Sequence, residues 1–232
     1  MAPAPTTSLG VAFEGVERRF GGLVALRRLT LKIGAGQFVA LLGPNGSGKT
    51  TLLRMAALLL QPTAGRVRHL GAENLEAEAV RSQIGLVAHK ALVYDELTAQ
   101  ENLSFFARLY GLPNPAERIE RALGEVGLAH RSGDAAATFS RGMRQRLAIA
   151  RALVTGPRLL LFDEPATGLD REGRQWLDRT LLGLNQAGAT LIVSTHDESL
   201  AELAGRSVWL RAGRLVHDTG ASAPQLAREV PL

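Results

Sequence analysis

The sequence predicts an α/β fold built on a mostly parallel sheet, with a helical lobe inserted into it. Continuous apolar runs at residues 37–42, 84–87, 159–162 and 190–194 have the length and composition of strands buried on both faces. Each is separated from the next by helical pattern, the alternation that builds a parallel sheet. Between the run at 84–87 and the run at 159–162 lies a long stretch that carries helix signals only. A chain of 232 residues, 46% hydrophobic and 21% charged, is one globular domain, 1–232, rather than a disordered or fibrous chain.

The elements follow in order. Met1 to Leu9 has neither a basic start nor an apolar core, so it does not fit a secretory signal, and residues 1–10 are expected to form a loose tail. Residues 11–18 and 26–33 read as two short strands. The run at 37–42 enters a glycine-rich turn and then a helix over 49–60. Thr98 with Glu101 forms a capping box that opens a helix over 99–110. Asn114, with Pro115 and Glu117, is expected to cap the next, which stops near Gly127. Ser140 precedes a third helix with Met143, Leu147, Ala150 and Val154 on one face. The lobe therefore spans about 88–155. Residues 208–211 and 214–217 flank Ala212-Gly213 as a β-hairpin, and a weak helix follows to the end.

Composition narrows the chemistry. The absence of cysteine removes disulfides, zinc–thiolate sites and thiol nucleophiles together, and suits a reducing compartment. No apolar run approaches the roughly 18 residues of a membrane-spanning helix. The formal charge of +5 is concentrated: residues 11–70 carry nine Lys or Arg against Glu14 and Glu17. Such a field attracts a nucleotide polyphosphate, a nucleic acid or an anionic lipid without choosing among them.

Gly43-Pro-Asn-Gly-Ser-Gly-Lys-Thr50 fits G-x-x-x-x-G-K-[ST] between an apolar strand and a helix, the context that the pattern requires. Gly43, Pro44, Asn45, Gly46, Ser47 and Gly48 would turn backbone N–H groups onto phosphates at a helix N-terminus. Lys49 would bridge the β- and γ-phosphates of ATP, and Thr50 would ligate magnesium, with Thr51 beside it. Asp163 and Glu164 follow an apolar strand, at the sheet edge where α/β folds bind ligands. Asp163 is expected to hold magnesium and Glu164 to polarise the attacking water. His196 ends the next strand at the same edge and is a candidate γ-phosphate contact. Ser140 and the basic run after it are adequately explained as an N-cap and a basic helix face.

Taken in order, the phosphate loop, Phe139-Ser-Arg-Gly-Met-Arg-Gln, Leu161-Phe-Asp-Glu-Pro165, Gly168-Leu-Asp170 and His196 resemble the ATP-binding cassette ATPases over nearly the whole chain. The resemblance implies a P-loop NTPase core, an N-terminal antiparallel β subdomain, and a head-to-tail dimer with two composite ATP sites. In it Ser140, Arg141, Gly142 and Met143 would form the signature acting in trans, with Ser140 and Gly142 at the partner's γ-phosphate. Asp170 would lie in the loop crossing between subunits. Arg141 and Met143 depart from the usual Gly and Gln, while Ser140 and Gly142 are kept. Phe20 takes the place of an adenine-stacking tyrosine, or is a core side chain. His89 stands where a magnesium-sensing glutamine is usual and is a further candidate metal contact.

His89, Tyr94-Asp-Glu-Leu-Thr-Ala-Gln-Glu-Asn102 and the short chain are similar to the ATPase subunit of the haem exporter of cytochrome c maturation. The Ser-Arg-Gly-Met-Arg-Gln run also resembles exporters of drugs, polysaccharides and lipids. The implied protein is peripheral, at the cytoplasmic face of the inner membrane, with membrane permease subunits docked on the helical lobe. Direct nucleic-acid binding is not expected, since relatives acting on nucleic acid or the ribosome generally carry two cassettes or long coiled-coil insertions.

Overall fold

The computed structural model describes residues 9–72 and 74–220. A three-stranded antiparallel sheet is made by β1 (Gly10–Phe20), β2 (Leu23–Ile33) and β4 (Ala64–Leu70) in the order β2-β1-β4. The larger sheet contains β3 (Phe38–Leu42), β5 (Ile84–Val87), β6 (Leu159–Asp163), β7 (Thr190–Ser194), β8 (Arg206–Arg211) and β9 (Arg214–Asp218). Its order is β5-β6-β7-β3-β8-β9, parallel throughout except for β9, which runs antiparallel to β8. The helices are α1 (Lys49–Ala56), α2 (Ala77–Arg81), α3 (Ala99–Leu109), α4 (Pro115–Glu125), α5 (Arg141–Leu153), α6 (Arg171–Gln186) and α7 (Glu198–Leu203). Among the described residues, no helix is long and apolar enough to cross a membrane.

The central strands are apolar on both sides because both faces are covered. Every residue of β3, β6 and β7 is buried. Alternate side chains serve two cores: Ala40, Leu160, Phe162 and Val193 pack towards α3, α4, α5 and α6, while Val39, Leu41, Leu161 and Ile192 pack towards α1 and the antiparallel sheet. Leu147, Ala150 and Val154 of the expected α5 face are buried, with Met143 packed at its edge.

Several boundaries differ from expectation. Leu9 is 1% exposed and Gly10 already belongs to β1, so the end of the expected tail is part of the small sheet. Residues 1–8 and the expected C-terminal helix beyond residue 220 lie outside the described residues. Helix α1 ends at Ala56, not residue 60, because Leu58 turns to φ 56° and His69 Nε2 donates to the Ala56 carbonyl at 2.7 Å. That bond supplies one of the partners a helix C-terminus lacks. Strand β4, which the apolar pattern does not reveal, is an edge strand held by Arg66 and Arg68, both paired with Glu14 of β1. The capping box of α3 is present, with the Glu101 N–H donating to Thr98 Oγ1 at 3.1 Å and the Thr98 N–H to Glu101 Oε2 at 2.8 Å. Asn114 precedes α4 but takes φ 50°, and its side chain makes no capping bond; Pro115 alone sets that start. The hairpin of β8 and β9 turns through Ala212 and Gly213, both with positive φ.

Candidate nucleotide site

The loop from Gly43 to Thr50 joins β3 to α1, and close packing dictates its glycines. Gly43 has φ 139°, and a Cβ there would lie 2.1 Å from the Leu210 carbonyl oxygen. Gly48 has φ 107° and would collide with Leu26 and the Ala25 carbonyl. The loop and α1 open onto a cavity of about 810 Å³. Lys49 is 6% exposed; its Nζ donates to the carbonyls of Gly43 at 2.6 Å and Pro44 at 3.3 Å. Ser47 Oγ is buried without a hydrogen-bond partner among the described residues.

The parallel topology brings the acids to the same place. Asp163 ends β6, where its register partner on β7 is Ser194. Asp163 accepts hydrogen bonds from Thr50 Oγ1 at 2.8 Å and Ser194 Oγ at 2.7 Å. Glu164 follows with φ 54°, unusual for a residue with a side chain, and its N–H donates to both Ser194 Oγ, at 3.0 Å, and the Ser194 carbonyl, at 3.1 Å. The Glu164 carboxylate then meets Lys49 Nζ at 3.7 Å and His196 Nε2 at 2.9 Å. Lys49, Thr50, Asp163, Glu164 and His196 thus form one constellation across three strand ends. Ser194, which the sequence offers only as the last residue of an apolar run, holds both acids and is the functional residue that motif reading misses.

The donor set suits a magnesium ion. Thr50 and Asp163 offer a hydroxyl and a carboxylate side by side, hard oxygen donors of the kind magnesium takes along with phosphate oxygens and water. His89 is exposed on the wall of the same cavity, and no side-chain cluster of three or more His, Asp or Glu able to hold a metal occurs among the described residues. His89 and Asp163 line this one cavity.

Phe20 is not a core side chain: it is 45% exposed at the end of β1 and lines the cavity together with Leu23, Val24 and the phosphate loop. Asn45, Gly46 and Thr51 also line it, while Gly43 and Pro44 border a neighbouring cavity instead. Ser140, Arg141, Gly142 and Met143 do not reach the site within one chain. Ser140 caps α5, its Oγ accepting the Met143 N–H at 3.2 Å. The guanidinium of Arg141 packs on Gly168, where a Cβ would come within 2.0 Å of it. Asp170 caps α6, accepting the Gly173 N–H at 2.7 Å. Signature and Asp170 loop are therefore in contact with each other and apart from the chain's own phosphate loop.

Residues 26–167 match the family model described as ABC transporter. The chain is 37% identical to a macrolide export ATP-binding/permease protein of Marinobacter nauticus, over 97% of this chain and 36% of that protein, so it spans about a third of that relative's length. It is 41% identical to the lipoprotein-releasing system ATP-binding protein of Nitratidesulfovibrio vulgaris, over 93% of this chain and 97% of that one. Its fold is similar, at a TM-score of 0.80 and 29% identity, to an ATP-binding cassette solved as a dimer in a post-hydrolysis state with ADP and Pi, covering 90% of this chain and 97% of that one. A matched family model over more than half the chain, relatives of this identity and a phosphate loop with its acids in place agree: the chain belongs to the ABC transporter family, as an ATP-binding cassette ATPase.

Proposed function

We propose that the chain is the ATP-hydrolysing subunit of a membrane transporter, working as a dimer with separate permease subunits. The observation that carries this reading is the meeting of Lys49, Glu164 and His196 at one edge of the sheet, beside Thr50 and Asp163. In it Glu164 accepts the proton of the attacking water as general base. His196 Nε2 at 2.9 Å and Lys49 Nζ at 3.7 Å orient that carboxylate before reaction. Lys49, whose ammonium sits on two loop carbonyls, turns to the β- and γ-phosphate oxygens, where its charge is worth most as the transition state forms. Magnesium, held next to Thr50 and Asp163, would supply charge neutralisation to the same oxygens.

A second copy would complete the site. Ser140, Arg141, Gly142 and Met143 lie at the exposed start of α5 and Asp170 at the start of α6, so a head-to-tail pairing presents them to the partner's nucleotide. The dimeric, ADP-bound state of the similar cassette supports that arrangement. The helical lobe would receive the permease, leaving the chain peripheral at the cytoplasmic face of the inner membrane with no nucleic-acid role. As transported substrate we favour a drug or a lipid-bearing molecule over haem, since the relatives described above are named for macrolide export and lipoprotein release.

The test is a pulldown from membranes of the source cell with Glu164→Gln held in ATP. Polytopic membrane chains are expected to co-purify. Ribosomal or DNA-bound partners with no membrane chain would overturn the transporter reading, and cytochrome-maturation partners would restore haem as the substrate.

A further inference from the structure

We propose that Arg18 is a positioning residue for the base of the bound nucleotide, acting by clamping Phe20; this rests on the reading of Phe20 as the ring on which the base stacks. Arg18 and Phe20 stand two residues apart on β1, with a register irregularity between Arg18 and Arg19 that interrupts the regular alternation of the strand. The guanidinium carbon of Arg18 lies 4.6 Å from the centroid of the Phe20 ring, in cation–π geometry. Phe20 lines the nucleotide cavity, while Arg18, which meets its ring, is not among the residues that line it.

The clamp is itself anchored. Arg18 Nη1 donates to the Gln61 carbonyl at 2.9 Å, in the segment that leaves α1. The end of β1 is tied to the same segment: the Thr63 N–H donates to the Glu17 carbonyl at 2.7 Å, and the Arg19 N–H to Thr63 Oγ1 at 3.1 Å. No carboxylate pairs with Arg18 among the described residues, and its Nε is buried without a partner. A half-buried guanidinium with an unmet donor is not optimised for folding stability alone. What the pose does achieve is to fix an exposed aromatic side chain at a strand end in one orientation. A base meeting a ring already fixed loses less conformational freedom on binding than one meeting a free rotor, which is affinity gained by preorganisation. Because Gln61 follows the helix that carries Lys49 and Thr50, the same anchor sets the separation between the base platform and the phosphate loop.

The experiment compares ATP with inorganic tripolyphosphate, which has the phosphates but no base, by displacement of a fluorescent nucleotide from the 232-residue chain, alongside steady-state hydrolysis. Arg18→Met is expected to weaken ATP binding roughly three- to tenfold, the range of one cation–π contact. It should raise KM by the same factor, leave kcat unchanged and leave tripolyphosphate affinity unchanged. Arg18→Lys, which keeps the charge and loses the flat stack, should fall between the two and serves where Arg18→Met is too unstable to assay. If Phe20→Ala leaves ATP affinity at the wild-type value, the base-stacking reading fails and takes the proposal with it. If Phe20→Ala weakens ATP while the Arg18 variants do not, the stacking reading stands and the proposal alone is overturned. Equal weakening of tripolyphosphate and ATP, or an undiminished Arg18 effect in a Phe20→Ala background, would show Arg18 acting on the fold or the phosphate loop, and would also overturn it.

Discussion

Ser194→Ala tests how the two acids are held. The Ser194 hydroxyl donates to Asp163 Oδ1 at 2.7 Å and accepts the Glu164 N–H at 3.0 Å, with Ser194 fully buried and Asp163 6% exposed. Alanine removes both functions of one oxygen. The Glu164 N–H keeps a partner in the Ser194 carbonyl at 3.1 Å, and Asp163 Oδ2 keeps Thr50 at 2.8 Å, so the uncompensated loss is the donor to Asp163 Oδ1. A hydrogen bond to a buried charged group contributes about 1.5–3 kcal/mol. In a domain of this size that lowers Tm by roughly 3–12 °C. Glu164 sits at φ 54° beside this hydroxyl, and loss of that constraint is expected to shift the carboxylate proposed as the base by a fraction of an ångström. A misplacement of that order lowers turnover about ten- to a hundredfold. Nucleotide affinity should stay near wild type, since Lys49 and the loop are untouched. Thermal unfolding and steady-state ATP hydrolysis measure the two effects, and Ser194→Thr, which retains the hydroxyl, should recover part of both. A Ser194→Ala protein with wild-type Tm and wild-type turnover would refute the assignment of Ser194 as the support of Asp163 and Glu164.

Three further outcomes follow from the same geometry. Glu164→Gln should bind ATP normally while turnover falls by about 10²–10⁴, measured by single-turnover hydrolysis; unchanged turnover would remove Glu164 as the base. Lys49→Ala leaves two loop carbonyls and a carboxylate without their cation and should lose nucleotide affinity, read by the same displacement titration; wild-type affinity would undo the phosphate-loop assignment. Burial holds the His69 pKa below its ordinary 6.5, with the hydrogen bond to Ala56 opposing that shift less strongly. The unfolded chain therefore takes up the proton first, so His69's contribution is complete above pH 6.5 and is lost as pH falls from there through the folded value. Urea midpoints between pH 8 and 5.5 should decline over that window, and His69→Gln should flatten the decline; an identical slope in the variant would place the titrating group elsewhere.

The phosphate loop was legible in the sequence because its chemistry is local: eight consecutive residues, Gly43 to Thr50, need only a strand before and a helix after. Asp163-Glu164 and His196 were legible because each closes an apolar run whose burial on both faces is itself readable. Residues whose role depends on distant partners were not. Ser194 lies 31 positions from Asp163, and only the β6–β7 register makes them neighbours. Arg18 reads as one cation among nine until the turn after α1 delivers Gln61 to it. Leu58, Leu59 and Leu60 continue the apolar pattern of α1, and the helix stops before them because His69, from another element, takes the Ala56 carbonyl. Strand β4 escaped the pattern because its exposed Arg66 and Arg68 are satisfied by Glu14 rather than by burial. Asn114 supplied the residue type of a cap without the backbone angles that capping requires.

The same physical requirement produces both the fold and the site. Strands β6, β7 and β3 are adjacent and parallel, so their C-terminal ends lie along one edge, and groups separated by more than a hundred residues meet there: Thr50 bonds Asp163 across 113 positions. Register makes the meeting specific. Asp163 pairs with Ser194 in a ladder whose preceding partners are Phe162 with Val193 and Leu161 with Ile192, and these alternate between the two cores. A slip of one residue between β6 and β7 would set Asp163 opposite a buried valine or beyond the strand end, and would reverse which core each apolar side chain enters. The apolar content of these five-residue strands therefore fixes more than stability: by excluding every other register, it gathers Glu164, Asp163, Thr50 and Lys49, the residues to which the proposed chemistry is assigned, along one cavity.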